Sequence, residues 1–162
     1  IPPVKKGVLM YYNFGKIAGD TLNSIYQKSI GEKYIAYLKN YPLPLNVALP
    51  VFSWGIQSRN GRVVELLNKL NEQNFLNDSD FIQRSSIIFK AKNTCFKNGY
   101  YFKAGDDVKI ESVSADQLKE IALDLKNNLK QVPEEIIFYD LDSVNLKRYD
   151  EKIFEQIRNS FN

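Results

Sequence analysis

Residues 42–61 read Pro42-Leu-Pro-Leu-Asn-Val-Ala-Leu-Pro-Val-Phe-Ser-Trp-Gly-Ile-Gln-Ser-Arg-Asn-Gly61, a nearly unbroken apolar run that stops at the polar-aromatic step Ser53-Trp54. Strands of parallel sheets are covered on both faces and read as continuous aliphatic runs, and ligands collect at their carboxyl ends. The stretch Leu45 to Trp54 is therefore expected to be a buried strand that delivers Ser53 and Trp54 to a functional face. Pro50 inside it predicts an irregularity or an edge at that point.

On its amino-terminal side, Ile1 to Lys6 reads as a Pro-rich, charged linker, and Val8 to Phe14 as a short aromatic strand closed by Gly15. Asp20 or Thr21 can cap a helix whose apolar positions Ile30, Tyr34, Tyr37, Leu38 and Tyr41 keep helical spacing up to Pro42. Strand, helix and strand make a βαβ unit, which implies parallel pairing. On the carboxyl-terminal side, Arg59-Asn60-Gly61-Arg62 is a turn signal suited to a hairpin. Val63, Leu66, Leu67 and Leu70, however, fall at i, i+3, i+4 and i+7, and this spacing predicts an amphipathic helix.

Asp78 can cap a short helix through Phe81 and Ile82. Short strands and turns then alternate from Ile87 to Val113, predicting a small antiparallel meander, although Ile87 to Phe89 also suits a fourth core strand. Residues 71–113 are thus expected to form a strand-and-turn insertion in a single domain spanning 1–162. Ser114-Ala-Asp-Gln117 has the form of a capping box, and Leu118, Ile121, Ala122, Leu125 and Leu129 follow at helical spacing. Glu135 to Leu141 reads as a third buried strand leaving Asp140 and Asp142 at its exit, and a last helix starts near Asp150.

The 162 residues, 44% hydrophobic, suffice for one ordinary globular core. Twenty-two basic and 19 acidic residues are interspersed, so the basic stripe of a nucleic-acid-binding protein is missing. With no histidine and one cysteine, Cys95, the chain can build neither a histidine-dependent nucleophilic triad nor a cysteine–histidine metal cluster. No metal or cofactor is expected, and Cys95 reads as a small half-buried strand residue. No run approaches the length of about 18 apolar residues that a membrane span needs. Beginning Ile-Pro-Pro-Val with no signal-peptide pattern, the sequence is expected to be a mature product or a piece of something longer.

Val47-Ala-Leu-Pro-Val-Phe-Ser-Trp-Gly55, Arg59-Asn-Gly-Arg62 and Phe138-Tyr-Asp-Leu-Asp-Ser143 resemble the carboxyl-terminal half of an uncharacterised bacterial family of glycoside-hydrolase-like (β/α)8 barrels. The resemblance implies a half TIM-type barrel, an α/β fold with three or four parallel strands and the insertion, whose first strands lie upstream of Ile1. It also implies a polysaccharide-related or cell-envelope setting.

Asp140 and Asp142 are the catalytic candidates. Two apart on or just past a strand, they point to the same side about 6 to 7 Å from each other. Glycoside hydrolysis needs two carboxylates flanking the bond, which neighbours on one strand do not supply, so one of them is expected to serve with a partner on a strand upstream of Ile1. Tyr12, Asn13, Ser53 and Trp54 are the candidates for substrate binding, the rings by stacking on sugar faces and the amide and hydroxyl by hydrogen bonding. Against each stands a plainer role: helix or loop capping for the two aspartates, closure of strand ends for Asn13 and Ser53, and core packing for the rings. Two functions follow. One is a carbohydrate-binding cleft at the strand carboxyl ends. The other is a protein-interaction or structural module; in either case the open sheet edges are expected to give a dimer or contact with the missing half.

Overall fold

The structure is a computed structural model and describes residues 3–161, so the first two residues of the expected linker lie outside the described residues. In chain order the elements are strand β1 (Gly7–Met10), helix α1 (Lys28–Ile35), and strands β2 (Leu45–Pro50), β3 (Ser53–Arg59), β4 (Arg62–Asn68), β5 (Phe81–Gln83) and β6 (Ile88–Ala91). Strands β7 (Cys95–Lys97), β8 (Tyr100–Phe102) and β9 (Asp107–Ser112) follow, then helix α2 (Ala115–Asn128), strand β10 (Ile136–Tyr139), and helices α3 (Ser143–Leu146) and α4 (Lys152–Ser160).

The chain divides into two compact units. The first takes the chain up to Phe14, Ile25–Phe52 and the chain from Val113 on; the second takes Gly15–Ser24 and Ser53–Ser112. All four helices therefore belong to the first unit and the antiparallel strands to the second.

The first unit holds a three-stranded parallel sheet in the order β1-β2-β10. Leu9, Val47 and Ile136 share a row, as do Met10, Ala48 and Ile137. On the Leu9 face, Phe138 meets Phe154 of α4 edge-on with centroids 4.8 Å apart. Helix α2 begins where its capping box predicts: Ser114 Oγ accepts from Gln117 N–H at 3.1 Å, and Gln117 Oε1 accepts from Ser114 N–H at 2.9 Å. Its buried stripe is Leu118, Ile121, Ala122 and Leu125. Gly31 in α1 lies so close to Tyr11 that a Cβ would stand 2.6 Å from the phenol oxygen, which is why glycine occupies this helical position.

The second unit holds a five-stranded antiparallel sheet in the order β4-β3-β9-β6-β5 and the hairpin β7–β8. Its core gathers Leu67, Phe75, Phe81, Phe89, Phe102 and Ile110. Phe75 stacks on Phe89 with centroids 5.3 Å apart and meets Phe81 edge-on at 4.9 Å.

Three expectations are corrected. The chain does not form half of a TIM-type barrel: its larger sheet is antiparallel, its parallel sheet has three strands, and residues 88–91, which include most of the candidate fourth core strand, lie in the antiparallel sheet. The apolar run that suggested one strand is divided, with Leu45–Pro50 in the parallel sheet and Ser53–Arg59 in the other. Proline lacks an N–H to donate, and the parallel strand ends at Pro50. Finally, Val63 to Leu70 is not a helix. Asn60 and Gly61, both at positive φ (50° and 73°), form the hairpin turn, and β4 pairs along β3 from Arg62 to Asn68. Short pieces differ likewise: the helix expected over 20–41 reduces to α1 and a 3-10 turn at Leu38–Asn40, and Phe81 to Gln83 is a strand.

Candidate functional site

In the first unit the carboxyl ends of the parallel strands carry three aromatic rings. Tyr12 lies two residues beyond β1, Phe52 two beyond β2, and Tyr139 ends β10. Side chains two apart on extended chain share a face, so parallel register brings the rings together. Tyr12 and Tyr139 are parallel, with planes 3° apart and centroids 5.7 Å apart. Phe52 meets both edge-on, at 5.7 and 5.9 Å. Burial, and then the neighbouring Tyr139, holds the Tyr12 phenol above its ordinary pKa, so it is a neutral hydrogen-bonding group at physiological pH.

Asp140 follows Tyr139 through a cis peptide bond. Its carbonyl accepts from Asn145 Nδ2 at 3.1 Å, and the residue is partly exposed. Asp142 caps α3: its Oδ1 accepts from the N–H groups of Val144 at 2.8 Å and Asn145 at 2.9 Å. Asn13 is exposed at φ 61°, its N–H donating to the Ile25 carbonyl at 2.8 Å.

From this aromatic end an apolar face runs back along the sheet. Val8, Met10, Ile137 and Tyr139 are 51, 64, 38 and 50% exposed, and the smaller Ala48 sits recessed between Met10 and Ile137. At the strands' starts the row closes on polar groups. Asn46 Nδ2 donates to Glu135 Oε2 at 2.5 Å, and Glu135 N–H donates to Asn46 Oδ1 at 3.2 Å.

Ser53 and Trp54, by contrast, open β3 in the second unit. Trp54 Nε1 donates to Glu111 Oε2 at 2.8 Å, and Ser24 Oγ donates to the same oxygen. Lys109 Nζ stands 2.7 Å from Glu111 Oε1, 2.8 Å from the Leu22 carbonyl and 3.3 Å from Asp20 Oδ1. Lys109 and Glu111 are each 2% exposed. The Gly15–Ser24 segment is thus fastened to one face of the five-stranded sheet by a buried ion pair. On the other side of that unit, Asp106 receives Arg59 through Nε at 2.7 Å and Nη2 at 2.8 Å, and Gln57 Nε2 at 2.7 Å.

Of the candidates read from the sequence, Tyr12, Asn13, Asp140 and Asp142 belong to the first unit, and Ser53 and Trp54 to the second. Among them Tyr12 stands with Tyr139 and Phe52, Asp142 serves the helix, and Trp54 serves the Glu111 network. Sequence reasoning missed Tyr139, whose neighbour is visible only once β1, β2 and β10 are in register. It also missed Lys109 and Glu111, two charged residues in a stretch read only as part of the antiparallel meander. Among the described residues, no group of three or more acidic or cysteine side chains is placed to hold a metal, and no helix is long and apolar enough to cross a membrane.

Comparison with protein-family models, with curated proteins and with solved structures finds no match to this chain.

Proposed function

We propose that this chain is a protein-interaction module that docks through the three-stranded parallel sheet of its first unit. The observation that carries the reading is the side-by-side exposure of Val8, Met10, Ile137 and Tyr139 on one sheet face. Parallel sheets are ordinarily covered on both faces, and a contiguous exposed apolar patch marks an interaction surface. Strands β1 and β10 also end the sheet, each pairing with β2 alone among the described residues, and open edges invite further pairing.

The test takes a second copy as the first partner. Sedimentation velocity over a range of concentrations is expected to show association, and the double variant Met10→Asp, Ile137→Asp to abolish it. Because both side chains already face water, the thermal midpoint of the double variant stays close to that of the parent chain. A chain that remains monomeric at every concentration, indistinguishable from the variant, overturns the reading.

A second reading is favoured by the parallel Tyr12–Tyr139 pair: carbohydrate binding at the strand carboxyl ends. Affinity electrophoresis against a panel of polysaccharides checks it. Tyr139→Ala is expected to weaken retardation about 5- to 10-fold, the loss of one aromatic contact. Equal mobility of parent and variant in every polysaccharide removes this reading.

A further inference from the structure

We propose that the open edge of β10 takes strand β1 of a second copy of this chain, laid parallel to it. This rests on the docking role proposed above and names the strands that carry it.

The backbone of β10 is half engaged. Glu135 C=O accepts from Val47 N–H at 3.2 Å, and Tyr139 C=O from Val51 N–H at 2.6 Å. In a parallel ladder such bonds alternate, so the N–H and C=O of Ile136 and Phe138 are directed to the edge away from β2. Strand β1 is engaged in the same way on its own side. Gly7 N–H donates to the Pro44 carbonyl and Tyr11 N–H to the Ala48 carbonyl, both at 3.0 Å, which turns the backbone of Val8 and Met10 outward. The two edges thus carry complementary rows of donors and acceptors.

Beside β10 the structure provides room. A groove of about 660 Å³ is lined by Ile136, Phe138, Phe154 and Phe161, with Glu151 and Glu155 among its polar residues. It can take the side chains of an added strand that point to the Phe138 side. Charge then selects the occupant. The approach to β10 carries Glu134 and Glu135, and the groove adds Glu151 and Glu155 against one cation, Arg158, 3.9 Å from Glu155. Strand β1 is preceded by Lys5 and Lys6. Lys6 Nζ already lies 3.0 Å from Glu134 Oε2 within one chain, so the cationic start of β1 and the acidic start of β10 stand at the same level of the sheet. A parallel β1 from a second copy, set at that level, brings its lysines to these carboxylates.

The register follows from parity. Leu9 of the incoming strand must fall on the Phe138 side and Val8 on the Ile137 side, because a slip by one residue exchanges the faces. Level alignment, as in the rows within one chain, places Leu9 beside Ile136 and Met10 beside Ile137. The contact is head-to-tail, and it closes when two copies exchange it reciprocally, using both edges of each.

A disulfide tests the pairing. In a Cys95→Ser background, Met10→Cys and Ile137→Cys are introduced together. Within one chain β2 separates these positions by two strand spacings, roughly 10 Å, beyond the roughly 7 Å a disulfide spans. Under mild diamide oxidation the pair is expected to give a disulfide-linked dimer on non-reducing gels, several-fold above either single-cysteine variant. Association in sedimentation without that excess overturns the β1–β10 contact and leaves the docking role standing; absence of both overturns the two together.

Discussion

Asp106 is fully buried at the end of the β8–β9 turn, and what keeps it ionised is the set of donors around it. Burial pushes its carboxyl up, but the Arg59 guanidinium, the Lys103 N–H at 2.8 Å and the Gln57 amide together outweigh burial and hold it below the ordinary carboxylate range. A carboxylate depressed in the folded state contributes stability that is complete above its unfolded pKa, near 4, and is lost as pH falls through its folded value. The urea midpoint of the second unit, followed by Trp54 fluorescence, is therefore expected to fall as pH drops below about 4. Asp106→Asn removes that part of the acid dependence and costs about 2 to 3 kcal/mol at neutral pH, the worth of charge-assisted bonds to a buried group. A variant with the parent's acid profile would show that other carboxylates govern it. Cys95 is quieter still: burial, with Asp80 and Asp78 near it, raises its thiol pKa, in keeping with the half-buried strand residue expected from the sequence.

Elements differ in how openly the sequence declares them. Helix α2 was legible because its start signal and its apolar period agree, Ser114 and Gln117 bonding reciprocally just before the buried stripe. Strand β4 was not. Val63, Leu66, Leu67 and Leu70 fall on helical spacing, but of the residues in β4 only Leu67 is buried, and Val63 and Val64 stay 40 and 49% exposed. The spacing is coincidental, and the left-handed Asn60-Gly61 pair, a hairpin signal in its own right, decides the outcome. That turn has a measurable weight. No atom obstructs a Cβ at Gly61, so Gly61→Ala isolates the cost of holding φ at 73° and is expected to lower stability by about 1 kcal/mol in urea unfolding. An unchanged midpoint would mean that the β3–β4 connection tolerates another turn type. The parallel strands were legible as apolar runs, but only β2 is buried throughout, β1 and β10 exposing alternate residues against the expectation of a third buried strand, and the aromatic platform at their ends was only half visible. Tyr12 was apparent at a strand exit, whereas the approach of Tyr139 depends on long-range register.

Across the whole molecule, an architecture of alternating strands and helices was the natural reading of a sequence whose longest apolar run is continuous from Val47 to Phe52. The run does supply a buried parallel strand, but three residues beyond Pro50 the chain starts the antiparallel sheet, and Pro50 and the Ser53-Trp54 step mark a break without showing that the partner strands change. Each unit has its own core and its own optical reporter: the only tryptophan lies in β3, and all four helices lie in the first unit. Lys109→Met leaves the Glu111 carboxylate buried without its cation, at a cost of about 3 to 5 kcal/mol. The Trp54 fluorescence transition is expected to move to lower urea by more than the helical signal at 222 nm. Equal displacement of both signals would show that the chain unfolds as a single cooperative body.

Ser53 and Ser112, where the chain enters and leaves the long segment of the second unit, are register partners on neighbouring antiparallel strands. Sixty residues therefore begin and end at one doorway about 5 Å wide. In evolutionary terms that is the geometry of a passenger: insertions and deletions between those two serines can accumulate, or the segment be exchanged for another of different length, without shifting by a single residue the alignment of β2 with β1 and β10.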